Sequence, residues 1–313
     1  MSNNHVIVGA GPVGTELATL LAEAGEEVTI VTRSGRGIDH AAVTRVAADA
    51  SDPGALTAAA DGATALYNCA NPGDYTVWQD VWPPLAASIL DAARETGAVL
   101  VTAASLYPYG PVDVPMVEGM PDVATDKKGR LRAGMWADAL AAHQTGEIRA
   151  VEVRGSDYMG AGVGKNGHIS RNVPAALAGK GVRVIGDPDV PHAWTDVLDM
   201  ARTLATVAAD PDAWGRVWHA PTNAPRTQRE ALTDVLAAAG KPPVSVKSFP
   251  MPVMRMVGRF NPMVREIMDM SYMFTRPYVL DSSAAEASFG LKPTPWDEMC
   301  LRTAGLTSGR RQP

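Results

Sequence analysis

Residues His5-Val6-Ile7-Val8 run into Gly9-Ala10-Gly11-Pro12-Val13-Gly14, and the chain resumes with Leu17, Leu20, Leu21 and Ala24 at helical spacing. A short apolar run, a Gly-x-Gly-x-x-Gly turn and an amphipathic helix leave few folds open. A second β-like run, residues 27–31, follows at the distance a βαβ unit needs. In that setting Gly9 permits the sharp turn, Gly11 lets a pyrophosphate approach the backbone, and Gly14 lets helix and strand pack closely. The helix opening at Pro12 and Val13 then points its free amides and its dipole at the phosphates. A dinucleotide site is expected here.

The end of the second strand discriminates between cofactors. An acidic side chain there holds a ribose 2′-hydroxyl, whereas a nearby arginine accepts a 2′-phosphate. Here the strand ends Thr32-Arg33-Ser34-Gly35-Arg36, without a carboxylate. Two guanidiniums and two hydroxyls can surround a phosphate with charge-assisted bonds, so NADP(H) is expected over NAD(H). A solvated basic loop is the competing reading.

Strand-like stretches at about 5–9, 27–32, 44–48, 64–69, 98–103 and 149–154 alternate with alanine-rich or amphipathic helices. That alternation implies a parallel sheet covered on both faces, with ligands at the carboxyl ends of the strands. The expected fold class is α/β, a doubly wound parallel sheet of Rossmann type. Asp52-Pro53 should cap and open a helix, and Thr227-x-x-Glu230 is a capping box for a helix that Gly240 stops. Residues 195–209 read as a further helix, and 160–167 as a glycine-rich loop near the cofactor mouth. Residues 241–277 carry no readable pattern, although methionines gather between Met251 and Met273 and suggest an apolar surface for a substrate or partner.

Composition narrows the function classes. A net charge of −6 offers no nucleic-acid footprint. No apolar run approaches the roughly 18 residues of a membrane span, and the polar start Met-Ser-Asn-Asn-His reads as a cytoplasmic protein without a signal peptide. Two cysteines, Cys69 and Cys300, suggest neither a disulfide framework nor a zinc site. The six histidines form no HxH or HxxxH pair, so no metal centre is expected.

Several further motifs, in order, resemble the extended short-chain dehydrogenase/reductase superfamily, in its NAD(P)-dependent epimerase/dehydratase-like branch. Asp49-Ala50 is similar to the family's adenine-contacting pair after the third strand. Leu66-Tyr67-Asn68-Cys69-Ala70 resembles the segment beside the cofactor ribose. Ala104-Ser105-Leu106-Tyr107-Pro108-Tyr109-Gly110 matches the Ser-Ser-x-x-Val-Tyr-Gly run, which puts Ser105 on the catalytic serine. Arg154-Gly155-Ser156-Asp157-Tyr158 is similar to the segment near the nicotinamide. The run from Tyr278 to Glu286, then Phe289-Gly290-Leu291-Lys292-Pro293, resembles the end of the family's substrate domain. The resemblance implies a cofactor domain of residues 1–160 and about 193–225. A smaller α+β substrate domain, about 161–192 and 226–313, interleaves with it.

Two departures stand out. Val8 occupies the family's first glycine position, and the Tyr-x-x-x-Lys pair falls on Lys128 and Arg132. That tyrosine passes a proton to or from the substrate oxygen, and the lysine lowers its pKa and binds the ribose. By position Arg132 can still bind the ribose. The charge run Asp126 to Arg132 otherwise reads as a solvated helix start. Tyr107, Tyr109 and Tyr158 lie on cofactor-side loops, and Tyr109 is the first choice to join Ser105 at the substrate. The glycine turn also resembles FAD-dependent hydroxylases, but Thr32 stands where those carry glutamate. The resemblance implies an NADP(H)-dependent oxidoreductase or epimerase-like enzyme acting on a small carbonyl or alcohol, with a homodimer left open. The alternative is an NADP(H)-sensing regulator that has lost catalysis.

Overall fold

The computed structural model describes residues 3–306. Its centre is a seven-stranded sheet in which every pairing is parallel. The strands are β1 (Asn4–Val8), β2 (Glu27–Thr32), β3 (Val43–Ala47), β4 (Ala65–Asn68), β5 (Val99–Ser105), β6 (Arg149–Gly155) and, much later, β10 (Val217–His219). Their spatial order is β10-β6-β5-β4-β1-β2-β3. Central strands are buried along almost their whole length, which is why they read as continuous apolar runs instead of alternating ones. The edge strand β3 is half in water and carries Thr44 and Arg45.

Helices cover both faces. Leu17 and Leu21 of α1 (Pro12–Glu23) pack with Met200 and Leu204 of α6 (Val197–Ala209) against Ile7, Ile30, Val101 and Val151. On the other face, α2 (Pro53–Ala59), α3 (Trp78–Thr96) and α4 (Lys127–Gln144) bury Leu56, Trp82, Ile89 and Trp136 against Leu66 and Leu100. Asp52 caps α2 as expected, accepting the Ala55 amide at 3.1 Å, with Pro53 in the first turn.

A second core lies beyond the sheet's carboxyl edge. It draws on β7 (Asp157–Met159), α5 (Val173–Leu177), β8 (Val182–Val184), β9 (Trp194–Asp196), α7 (Gln228–Ala238) and β11 (Val246–Ser248). β7 pairs with β9 and β8 with β11, giving two small parallel sheets. The capping box forms, with the Thr227 amide donating to Glu230 Oε2 at 2.8 Å and the Glu230 amide to Thr227 Oγ1 at 3.1 Å. The helix expected from Thr195 begins two residues later. Trp194–Asp196 is the strand β9, and the Asp196 carboxylate caps α6 by accepting the Leu198 amide.

The unreadable stretch 241–277 folds into β11, α8 (Met251–Gly258), α9 (Pro262–Asp269) and the 3-10 turn Ser271–Phe274. Met270, Met273 and Phe274 are core residues, whereas Met256 on α8 is exposed. The chain finishes with α10 (Ser283–Phe289) and α11 (Trp296–Thr303), which carries Met299 and Cys300 into the second core. Among the described residues no helix is long and apolar enough to cross a membrane.

Candidate active site at the carboxyl edge of the sheet

The turn from β1 to α1 is shaped by close approach. Gly9 has φ of 102°, and a Cβ there would stand 2.9 Å from the Cys69 carbonyl oxygen and 3.0 Å from Ala70. A Cβ on Gly14 would lie 2.1 Å from the Gly9 carbonyl oxygen. Gly11 differs: it precedes the helix at φ −74°, and nothing in the protein lies within 4 Å of where its Cβ would be. Pro12 takes the first turn, where its missing N–H removes no helical bond. The amides of Val13 and Gly14 are first-turn donors with no intrahelical acceptor. The loop 160–167 comes down over this turn, placing Gly162 beside Pro12 and burying Val163 in the same core as Val13.

Around the end of β2, Thr32 donates from its hydroxyl to the Arg36 carbonyl at 3.0 Å, which folds the basic loop back on itself. Arg33, Ser34 and Arg36 are exposed. Asp49 accepts from both the amide and the hydroxyl of Ser51; these bonds, with Arg33 adding a smaller share, hold its carboxyl below the usual range. Ala50 beside it is buried. Cys69 is buried against the glycine turn, and burial pushes its thiol up to about 12.

Among the described residues, three buried polar atoms of the expected site residues have no hydrogen-bond partner: Ser105 Oγ, Arg132 Nη1 and Ser156 Oγ. The other terminal nitrogen of Arg132 donates to the Ala103 carbonyl at 2.9 Å, and the guanidinium stacks 4.6 Å over the Trp82 ring. Arg132 therefore hangs under the end of β5, the strand that carries Ser105. Buried donors without acceptors are uncommon in a folded chain and mark places where a ligand or water completes the bonding.

Two sequence expectations need correction. Lys128 and Arg132 are not solvated: they are 1 % and 6 % exposed. Lys128 Nζ is bound by both the carboxylate and the carbonyl of Glu266, reached from α9, and lies 5.4 Å over the Tyr75 ring. Tyr109 is fully buried with its hydroxyl on His219 Nε2 at 2.8 Å, and Arg154 stacks 4.5 Å over its ring. The structure thus places Tyr109 in the second core and leaves its hydroxyl already engaged. Of the other phenols, Tyr158 donates to the Ala104 carbonyl at 3.2 Å, and Tyr107 shares a 3.0 Å bond with Tyr75. Burial pushes both groups well above the usual phenol range.

The buried Lys128 gives a direct test. Lys128→Met keeps the aliphatic volume but leaves the Glu266 carboxylate, whose side chain is 15 % exposed, without its cation. A loss of about 1–3 kcal/mol in unfolding free energy is expected in urea titrations, below the fully buried limit because Glu266 keeps some water. Wild-type stability in this variant would show that the pair contributes nothing net.

A family model described as the NAD dependent epimerase/dehydratase family matches residues 5–219. The chain belongs to this family. No curated protein matches its sequence. Its fold is similar to MoeE5 solved with UDP-glucuronic acid and NAD, at 20% identity over 97% of this chain and 98% of that one, with a TM-score of 0.79. It is also similar to dTDP-glucose 4,6-dehydratase from Bacillus anthracis solved with NAD, at 16% identity over 97% and 96% of the two chains, TM-score 0.78. UDP-glucose 4-epimerase from Thermotoga maritima, solved with UDP-glucose, matches at 15% identity over 96% and 97%, TM-score 0.78.

Two groupings at this edge have no signature in the sequence. Asp157, His168 and His192 meet in space, yet they are too far apart in sequence to form a recognisable ligand or catalytic spacing. Glu266 reaches Lys128 across 138 residues from the stretch that carried no pattern.

Proposed function

We propose that the chain binds NADP(H) across the β1–α1 turn and catalyses hydride transfer to or from a small carbonyl or alcohol substrate beside Ser105. The observation that carries this reading is the pair of orphaned polar atoms, Ser105 Oγ and Arg132 Nη1, at the end of one buried strand in a family whose cofactor is a nicotinamide dinucleotide. An enzyme built on transient hydride transfer, as in an epimerase, needs the same arrangement. Sugar hydroxyls are the first substrates to try, since the similar structures hold nucleotide sugars.

The residues divide the work by position. Gly9, Gly11 and Gly14 shape the turn, and the amides of Val13 and Gly14 take the phosphates. Thr32, Arg33, Ser34 and Arg36 surround the 2′-phosphate, with Asp49 and Ala50 at the adenine. Cys69 and Ala70 form the wall beside the ribose, Arg132 donates to the ribose hydroxyls, and Ser156 lies towards the nicotinamide end. Ser105 donates to the substrate oxygen. The bound nicotinamide supplies or accepts the hydride, and the protein's share is orientation and electrostatics. The cofactor domain comprises residues 1–160 and about 193–225, which also lend Tyr109, β7 and β9 to the second core, and the remaining residues form the substrate side. A sensing role without catalysis draws support from Lys128, which is tied to Glu266 where the family has its phenol.

NADPH should bind more tightly than NADH. Losing charge-assisted bonds of the kind Arg33 makes to a phosphate costs about 1.5–3 kcal/mol, or about ten- to over a hundredfold in affinity. Calorimetric titration of wild type and Arg33→Ala with both cofactors checks this. Equal wild-type affinities sink the NADP assignment.

A further inference from the structure

β5 and β6 run in register so that Ser105 lies opposite Gly155. Two residues further, where the chain leaves the sheet's carboxyl edge, Asp157 opens β7. Its carboxylate is held between two imidazoles: His192 Nε2 at 2.7 Å from Oδ2, and His168 Nε2 at 3.5 Å from Oδ1. Neither histidine belongs to the serine, tyrosine and lysine positions described above.

The two rings differ in what they can still do. His192 Nδ1 faces the Met273 carbonyl oxygen at 3.1 Å while its Nε2 faces Asp157 at 2.7 Å, so both ring nitrogens are occupied. Its side chain is 2 % exposed, and the ring is packed by Trp194, Phe274 and Tyr278. His192 is a fixed clamp on the carboxylate. His168 turns only Nε2 to Asp157. Its Nδ1 has no hydrogen-bond partner among the described residues, its side chain is 15 % exposed, and its ring lies 4.1 Å from Phe274. With Nε2 turned to a carboxylate, which only accepts, the tautomer protonated on Nε2 is the one that fits the contact and would leave the Nδ1 lone pair free.

We infer that His168, oriented by Asp157, is the general base and acid of this site, in place of the absent phenol. The inference rests on the hydride-transfer reading above. In the oxidising direction, His168 Nδ1 takes the hydroxyl proton of the alcohol. The O–H electron pair becomes the second carbon–oxygen bond, and the carbinol hydrogen leaves as hydride to oxidised NADP. Asp157 stabilises the imidazolium so formed, and the reverse reaction returns the proton. A 3.5 Å contact suits such a pair before substrate binds, because catalytic hydrogen bonds tighten in the complex.

The surroundings favour this assignment over the alternatives. Burial lowers His168 to about 4, and Arg171 and His192 also oppose its protonation while Asp157 favours it, so the ring is neutral at pH 7. Asp157 stays ionised: burial raises its pKa, but the His192 hydrogen bond and the positive Arg171 nearby oppose this, and its pKa is lowered overall. The phenols of Tyr75, Tyr107 and Tyr278, which also feel the Asp157 charge, are held protonated by burial. Lys128 is committed to Glu266, Tyr158 to Ala104 and Tyr109 to His219.

The test combines ring NMR with turnover. Nitrogen-15 correlation spectra of the full chain should show His168 neutral with its proton on Nε2 at pH 7. With UDP-glucose, UDP-glucuronic acid and dTDP-glucose as probe alcohols, NADP reduction is followed by absorbance. His168→Gln and Asp157→Asn should lower kcat by about 10²–10⁴-fold while the NADPH dissociation constant stays within about twofold. His168→Phe, which keeps a ring against Phe274, controls for packing and should be equally slow. Asp157→Asn should also shift the His168 tautomer balance, which a merely structural role does not require. A His168 protonated on Nδ1, or variants with wild-type kcat, would overturn the inference and leave the cofactor reading intact. A wild type that binds neither NADPH nor NADH, or turns over none of the probes, overturns the hydride-transfer reading, and the inference with it.

Discussion

Valine in place of Gly11 should give a folded protein that no longer binds NADPH, with affinity down at least about a hundredfold. Gly11 has an ordinary φ of −74°, and its Cβ would meet no protein atom within 4 Å, so the substitution has little to disturb in the protein alone. The side chain instead fills the space in front of the first-turn amides of α1, where the proposed reading puts the pyrophosphate. Gly14→Ala is the opposite case. Its methyl would stand 2.1 Å from the Gly9 carbonyl oxygen and 3.3 Å from the Cys69 Cβ, so turn and helix must separate. Overpacking of this kind costs about 1–3 kcal/mol and sometimes more. Urea unfolding and calorimetry of the two variants separate the effects. Retained NADPH affinity in folded Gly11→Val would place the phosphates elsewhere, and unchanged stability of Gly14→Ala would refute the packing argument.

Arg154→Met should cost about 3–5 kcal/mol of stability, the largest effect expected of any single charge here. Arg154 is 1 % exposed; its Nε donates to Glu152 Oε1 at 2.7 Å, and its two terminal nitrogens grip Asp122 at 2.6 and 2.9 Å. Without it, the Glu152 carboxylate, with a side chain 3 % exposed, is left with Arg132 as its compensating charge among the described residues. The double variant Arg154→Met, Glu152→Gln removes the more deeply buried of the two carboxylates left without Arg154 and should recover at least about 1 kcal/mol. The pH dependence has a definite sign. Burial already raises the Glu152 pKa, and loss of Arg154 raises it further. A carboxyl whose folded pKa is raised is favoured by protonation, so the deficit should shrink from pH 8 towards pH 5. A deficit that grows on acidification in that window would exclude Glu152 as its source.

Local signals carried far along this chain. The Asp52 cap and the Thr227–Glu230 box are bonds between residues three apart, and both form as the motifs specify. The strands of the central sheet were legible because a parallel strand buried on both faces is a run of apolar residues. β10 escaped notice because three residues, Val217–His219, offer no period to recognise. The helix expected at Thr195 was displaced because Asp196 caps α6 while Trp194–Asp196 pairs with β7.

The candidate site divides along the same line. The glycine turn, the basic end of β2 and the strand carrying Ser105 are contiguous segments, and their meaning survives without knowledge of what packs on them. The states of Lys128, Tyr109 and Asp157 do not. A charge run is solvated by default, and Lys128 is buried only because α9 brings Glu266 over it from 138 residues away. Tyr109 follows the expected serine strand, but His219, 110 residues on, draws its hydroxyl into the second core. Asp157 acquires two imidazoles only when the second core closes against the sheet edge. By itself the sequence determined the βαβ framework and the glycine turn between its first strand and helix, because periodicity, caps and turns act between near neighbours. Only the tertiary structure decided which polar groups are buried, which are already bonded and which remain free, because burial and charge pairing depend on what distant segments bring.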